Sequence, residues 1–169
     1  MRTYNRAAMQ IVCGDASRLD EVGPLFTAMH EHHRAGGRQV LPFRSGEEAW
    51  ERRRPHYESL LESGRGRLLL AEDGGRVIGY AMVSETSGQV TLATGDRMAE
   101  LETLSVAEGE RGQGVGRALM DAAYAVMREL GVTEVMLYVL EGNDSATRFY
   151  ERLGLRPYLR VMLGPVPSE

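Results

Sequence analysis

The chain has 169 residues, enough for one domain whose core needs neither disulfides nor a metal. Apolar residues make up 43 % and charged residues 26 %, the balance of a soluble globular chain, and a net charge of −4 gives no footing for general nucleic-acid binding. All 20 basic residues are arginine, and without a lysine neither a phosphate-binding P-loop nor a Schiff-base enzyme can operate.

Residues 1–9 read as a lead-in and 10–164 as a single domain. Gln10 to Cys13 is a short strand. Cys13 is the only cysteine, so no internal disulfide can form and a reducing, cytoplasmic setting is expected, with the thiol a small buried apolar group. The N-terminus lacks the apolar stretch of a signal peptide, and no run approaches the ~18 apolar residues of a membrane span. Asp15 and Ser17 offer capping oxygens to a helix carrying Leu19, Val22, Leu25, Phe26 and Met29, which Gly36-Gly37 ends. Ser45 and Glu48 have capping-box spacing ahead of a second helix with Trp50, Tyr57, Leu60 and Leu61, which Pro55 should break or kink. Arg52-Arg53-Arg54 lies among glutamates and reads as a solvated helix face.

Leu68 to Ala71 and Val77 to Val83 form a hairpin around Asp73-Gly74-Gly75. Thr86 to Met98 is a polar connection, and Ala99 to Ala107 a further strand. Gly116 to Leu130 is an amphipathic helix with Leu119, Met120, Ala123, Val126, Met127 and Leu130 on one face, stopped by Gly131. Val135 to Leu140 is apolar enough for a central strand. Asn143 to Leu153 is a short helix closed by Gly154, and Tyr158 to Leu163 is the last strand. The order β-α-α-β-β-β-α-β-α-β describes an α/β (α+β) domain with a mixed sheet. The helix from Gly116 crosses between a parallel pair of strands.

Chemistry concentrates in Leu104-Ser105-Val106 and the following Arg111-Gly112-Gln113-Gly114-Val115-Gly116-Arg117. Strand, glycine loop and helix N-terminus together aim backbone N–H groups at one spot and favour an anion there. The glycines recur every second residue, which does not fit the dinucleotide pattern G-x-G-x-x-G and disfavours a nucleotide-dependent oxidoreductase. The loop resembles the acetyl-CoA signature Q/R-x-x-G-x-G/A of the GCN5-related N-acetyltransferase (GNAT) superfamily, with Arg111, Gly114 and Gly116 at its defined positions. Downstream, Asn143, Ala146, Phe149, Tyr150 and Gly154 match that family's N-x-x-A-x-x-F-Y-x-x-x-G-F, with Leu155 in place of the last Phe. The resemblance covers roughly residues 10 to 163.

The resemblance implies a mostly antiparallel mixed sheet flanked by four helices, a bulge before the loop, and a splayed parallel pair that admits the pantetheine arm. Leu104, Ser105 and Val106 would bind that arm through the backbone. Arg111, Gly112, Gln113, Gly114, Val115, Gly116 and Arg117 would wrap the pyrophosphate. Asn143 would cap its helix and contact the arm. Tyr150 would be the general acid, although it also lies on an apolar stripe with Ala146, Phe149 and Leu153. Glu100 and Glu102 share a strand face and are the base candidates; Glu102, nearer the expected cleft, is preferred.

His30 and Glu31 begin like H-E-x-x-H, but position 34 is arginine. His30, His32 and His33 therefore read as a solvated or substrate-facing cluster, and no metal is expected. The implied activity is direct acetyl transfer from acetyl-CoA to a primary amine of a small molecule or peptide. A different acyl group or acceptor, and a non-catalytic acyl-CoA sensor, are the alternatives. No nucleic-acid or membrane partner is expected, and a homodimer through the last strands is common in the family.

Overall fold

A computed structural model describes residues 9–36 and 40–167. Most of the 1–9 lead-in and Gly37 lie outside the described residues. The elements are β1 (Gln10–Gly14), α1 (Leu19–Gly36), α2 (Gly46–Glu62), β2 (Gly66–Asp73), β3 (Arg76–Ser87), β4 (Arg97–Val106), α3 (Val115–Glu129), β5 (Val135–Leu137) and α4 (Asp144–Arg152). The sheet runs β1-β2-β3-β4-β5, antiparallel through β4, with β4 and β5 parallel across the α3 crossover.

Strand alternation divides the core into two faces. Leu69, Ala71, Ile78, Ala81, Val83, Ala99 and Leu101 point to α3 and meet Leu119, Met120, Ala123 and Met127. Leu68, Leu70, Tyr80 and Met82 point the other way, to Leu19, Val22 and Phe26 of α1 and Tyr57 and Leu60 of α2. The inner strands β2 and β3 are thus covered on both sides, which is why Leu68 to Ala71 reads as an unbroken apolar run.

The local signals act as expected at several ends. The hairpin turns through Gly74 (φ 58°) and Gly75 (φ 79°), the paired left-handed conformations that a two-residue turn between twisted strands requires. Ser45 Oγ accepts from the Glu48 N–H at 3.2 Å, and Glu48 Oε2 accepts from the Ser45 N–H at 3.1 Å, a complete capping box. Glu31 of α1 adds a second acceptor, 2.7 Å from the Gly46 N–H, so one helix satisfies an orphan donor of the next.

Other expectations are corrected. Helix α2 runs through Pro55 unbroken, because Tyr57 and Leu60, the residues that anchor it in the core, lie beyond the proline. Cys13 is exposed: it sits on an edge strand past the cover of α3. Among the described residues β5 is an edge strand rather than a central one, and only three residues long. Tyr158 to Leu163 forms no strand and is exposed. The edge it would need, residues 138–140, is itself irregular and offers no ladder to join.

No helix among the described residues is long and apolar enough to cross a membrane. Replacing Ser45 by Ala should lower stability by about 1 kcal/mol in urea unfolding, since it removes the side-chain acceptor of the box. An unchanged midpoint would show that Glu31 alone carries that helix end.

Candidate active site

The site is organised by a bulge in β4. Val83 pairs with Leu101 and Met82 with Thr103, so Glu102 is an extra residue without a partner on β3. One extra residue reverses the alternation. Before the bulge, Glu100 and Glu102 face the α1/α2 side, with Ala99 and Leu101 toward α3; after it, Thr103 and Ser105 face α1/α2, with Leu104 and Val106 toward α3. Polar side chains therefore collect beneath α1 and α2 over a short length of strand. The Tyr57 hydroxyl of α2 donates to Thr103 Oγ1 at 2.5 Å, and Thr103 Oγ1 donates to the Glu102 carbonyl at 2.7 Å. This chain ties the bulge to the helix layer. Ser105 Oγ donates to the Leu25 carbonyl of α1 at 3.1 Å and ties the next turn of the strand to the same layer.

The same irregularity ends the parallel pairing. β4 and β5 pair only over Ala99–Leu101 and Val135–Leu137. Beyond Leu101 the β5-facing edge of β4 has no strand partner, so its backbone groups are left without a ladder where the two strands part.

The two carboxylates are held differently. Glu102 is committed: Oε1 accepts from Ser84 Oγ at 2.7 Å, while Oε2 lies 3.2 Å from Arg53 Nη1 and 3.2 Å from His56 Nε2. Arg53 also stands over the Tyr57 ring, 5.7 Å from its centre, so the Arg52-Arg53-Arg54 run is more than a solvated face. Arg54 is paired as well, with Asp20 and Glu58. Glu100 is half-buried on the same face. Burial and then the neighbouring Glu102 charge raise its pKa above the ordinary carboxylate value, against the opposing pull of Arg53 and His56.

The glycine loop meets α3 as the sequence led us to expect. Gly112 (φ 75°) and Gly114 (φ 89°) take left-handed conformations, and Gly114 is the N-cap with no side-chain acceptor for the first turn. The free N–H groups of that turn, at the positive end of the helix dipole, suit a diphosphate. Arg111 folds back so that Nε donates to the Val106 carbonyl at 3.1 Å, and Gln113 donates to the Gly109 carbonyl at 2.9 Å; both brace the loop. Arg117 lies along α3, its Nε bonded to Asp121 at 2.9 Å. A Cβ at Gly116 would only touch Leu104 and Phe149 at 3.7 Å, so close packing does not demand glycine there. A small cleft of about 70 Å³ lies beside the loop, between Leu25, Ala28 and His32 of α1 and Ser105, Val106 and Arg111.

Asn143 caps α4, its Oδ1 accepting from the Ala146 N–H at 3.2 Å. Tyr150 packs against the α3-side core, and burial pushes its hydroxyl up to about 12, with Tyr124 adding to the shift. The phenol therefore stays protonated at neutral pH, the state a proton donor needs.

The three histidines take different partners, with the His32 and His33 rings 6.3 Å apart. His30 stacks on Phe26 and lies 3.0 Å from the Arg44 carbonyl, whereas His33 reaches Asn143. Among the described residues no group of His, Cys, Asp and Glu gathers as a metal site. Sequence reasoning missed Tyr57, Thr103 and Ser84 as parts of this site, and only the bulge, invisible to strand periodicity, brings them together. His33 it placed in a solvated or substrate-facing cluster, without its partner Asn143.

Residues 27–155 match the model of the "Acetyltransferase (GNAT) family". A mycothiol acetyltransferase of Geodermatophilus obscurus is 34 % identical over 140 residues, covering 70 % of this chain and 44 % of that one. Another, from Thermobispora bispora, is 41 % identical over 85 residues, 50 % of this chain and 28 % of its own. The chain thus spans less than half the length of these relatives. A crystal structure of a GCN5-related N-acetyltransferase from Ralstonia eutropha superposes with a TM-score of 0.75 at 22 % identity, over 94 % of this chain and 98 % of that one. At that identity the likeness is one of fold.

Two neighbouring phenols give a matched test of the bulge anchor. Tyr80 is fully buried beside Tyr57, and its hydroxyl has no hydrogen-bond partner among the described residues. Tyr57→Phe should cost about 1–2 kcal/mol in urea unfolding, while Tyr80→Phe should be neutral or stabilising. The reverse order would mean that the Tyr57–Thr103 bond does not anchor the strand.

Proposed function

This chain belongs to the acetyltransferase (GNAT) family, and from that premise we propose that it transfers an acetyl group from acetyl-CoA directly to a primary amine. The observation that carries the reading is the parting of β4 from β5 after Leu101, immediately before the uncapped N-terminus of α3. A thioester arm with a diphosphate at its far end needs that arrangement: unpaired strand backbone along the arm, and free N–H groups where the charge lies.

Leu104, Ser105 and Val106 present backbone donors and acceptors to the pantetheine amides along the open edge of β4. The loop from Arg111 through Gly112, Gln113, Gly114, Val115 and Gly116 to Arg117 holds the diphosphate, chiefly through N–H groups, and Asn143 faces it across the opening. The relatives named mycothiol acetyltransferase support a small-molecule acceptor. The cytoplasmic setting expected from a single cysteine goes with the same reading.

Glu100 is the base. It lies on the acceptor-side face and has no competing hydrogen-bond partner among the described residues, and its raised pKa makes it a stronger base than an ordinary carboxylate. It takes a proton from the arriving ammonium, whose lone pair is otherwise unavailable. Glu102, held by Ser84, Arg53 and His56, contributes fixed negative charge that draws a cationic acceptor and keeps Glu100 basic. Backbone N–H groups of β4 past the bulge donate to the thioester oxygen as negative charge grows there. As the C–N bond forms and the C–S bond breaks, the Tyr150 hydroxyl gives its proton to the departing thiolate, and the second proton that the nitrogen sheds as the amide forms restores the phenol through solvent.

Thermal shift and thiol release test the reading together. Acetyl-CoA and CoA should stabilise the protein with NADH inert, and one member of an amine panel (polyamines, aminoglycosides, amino acids, peptides) should elicit thiol release. Stabilisation by NADH alone would overturn it, and CoA binding with no release above hydrolysis would leave a CoA-binding module in its place. Glu100 acts only when ionised, so kcat/KM should fall as pH drops through its raised pKa. Glu100→Gln should abolish that acid limb and cost about 100-fold. An intact limb in this variant would remove Glu100 from the role. Tyr150→Phe should lower kcat by about 10-fold or more with KM for acetyl-CoA little changed.

A further inference from the structure

We propose that His33, in the last turn of α1, is a positioning residue for the acyl-CoA site: its neutral imidazole holds the Asn143 amide so that the second N–H of that amide is offered to the cleft. The inference rests on the acyl-CoA reading above.

The argument begins with the amide. Asn143 Oδ1 accepts from the Ala146 N–H at 3.2 Å and from Ser145 Oγ at 3.0 Å, so both of its lone pairs serve the cap of α4. The cap therefore decides which way the amide points, and Nδ2 is the atom left to face α1. It lies 3.4 Å from His33 Nε2. An amide nitrogen donates and does not accept, so the imidazole must accept at Nε2 and carry its proton on Nδ1. An imidazolium would set N–H against N–H and break the link.

His32 and His30 on its own helix, and Arg111 on the glycine loop, all oppose such a charge. The neighbour from α4, Asn143, does not titrate. Burial acts in the same direction and is the largest cause of a pKa below the ordinary histidine value. His33 is accordingly neutral at pH 7, the state the amide requires.

Position gives the contact its meaning. Arg111 and Asn143 belong to the two separate segments that flank the opening between β4 and β5, and His33 stands where they converge. The preceding turns of α1 supply Leu25, Ala28 and His32 to the cleft beside the loop, so α1 walls the site and reaches across to α4. Without His33, the amide could rotate about its cap bond and its free N–H would lose a fixed direction. Pre-organisation of a single donor shows in binding of the ligand rather than in the turnover step.

Calorimetric titration with acetyl-CoA of the wild type, His33→Gln and His33→Leu, over a pH series from 7.5 downward through the titration of His33, tests this directly. Glutamine can accept from Asn143 through Oε1 and cannot be protonated. His33→Gln should bind within about twofold of wild type at pH 7.5, and His33→Leu about tenfold more weakly, with kcat at saturating acetyl-CoA retained in both. As pH falls through the lowered pKa of His33, the wild type should lose affinity relative to His33→Gln. Equal binding by His33→Leu and wild type, or parallel pH dependence of wild type and His33→Gln, would overturn the inference alone. No uptake of acetyl-CoA by the wild type would overturn the acyl-CoA reading and this inference with it. Nitrogen-15 NMR of the free protein gives a readout independent of ligand: Nε2 of His33 should be unprotonated, and an Nε2–H tautomer would refute the proposed contact.

Discussion

One additional residue in β4 sets the geometry on which the site depends. Glu102 has no partner on β3, and the mismatch turns the strand over, so that Glu100, Glu102, Thr103 and Ser105 all lie on one face. A regular strand would send Thr103 and Ser105 into the apolar α3-side core, where hydroxyls lack partners. The hydrogen-bonded chain from Tyr57 through Thr103 to the Glu102 carbonyl holds this irregular conformation. The loss of pairing with β5 follows within one residue, because a strand that has changed hand in its pleat no longer presents the same edge.

The helices on the two faces have separate tasks. α3 packs a broad apolar stripe onto the sheet and ends, at its N-terminus, in donors that no capping side chain satisfies among the described residues. α1 and α2 cover the opposite face, but they also deliver side chains inward: Arg53, His56 and Tyr57 to the bulge, and Leu25 and His33 to the cleft. The first layer leaves free N–H groups at a positive helix end, and the second surrounds the carboxylates. Strand β4 is the shared boundary.

Much of this was legible in the sequence because local chemistry dictates it. The Gly74-Gly75 turn, the Ser45–Glu48 box, the Asn143 cap and the glycine loop are short-range arrangements that need only neighbouring residues. The face shared by Glu100 and Glu102 also follows from strand periodicity alone. What escaped depends on distance along the chain. Arg53 and Glu102 are 49 residues apart, and nothing local distinguishes Arg53 from Arg52. A bulge adds no residue type of its own, so neither the Thr103 side nor the commitment of Glu102 could be read in advance. Apolar content misled at Val135–Leu140 and Tyr158–Leu163, because such runs become strands only where a complementary edge is available. Pro55 misled in the opposite sense, since burial of Tyr57 and Leu60 outweighs one missing helical hydrogen bond.

Every side-chain cation fixed around the site is a guanidinium: Arg53 at Glu102, Arg111 in the loop and Arg117 beside it. Guanidinium groups remain charged, and they do not behave as amine nucleophiles, throughout the range in which an alkyl ammonium gives up its proton. The protein therefore surrounds an acetyltransferase site with positive charge that acyl transfer does not consume. Side-chain cations of this kind neither compete for an acyl group nor lose their charge as the solution becomes alkaline.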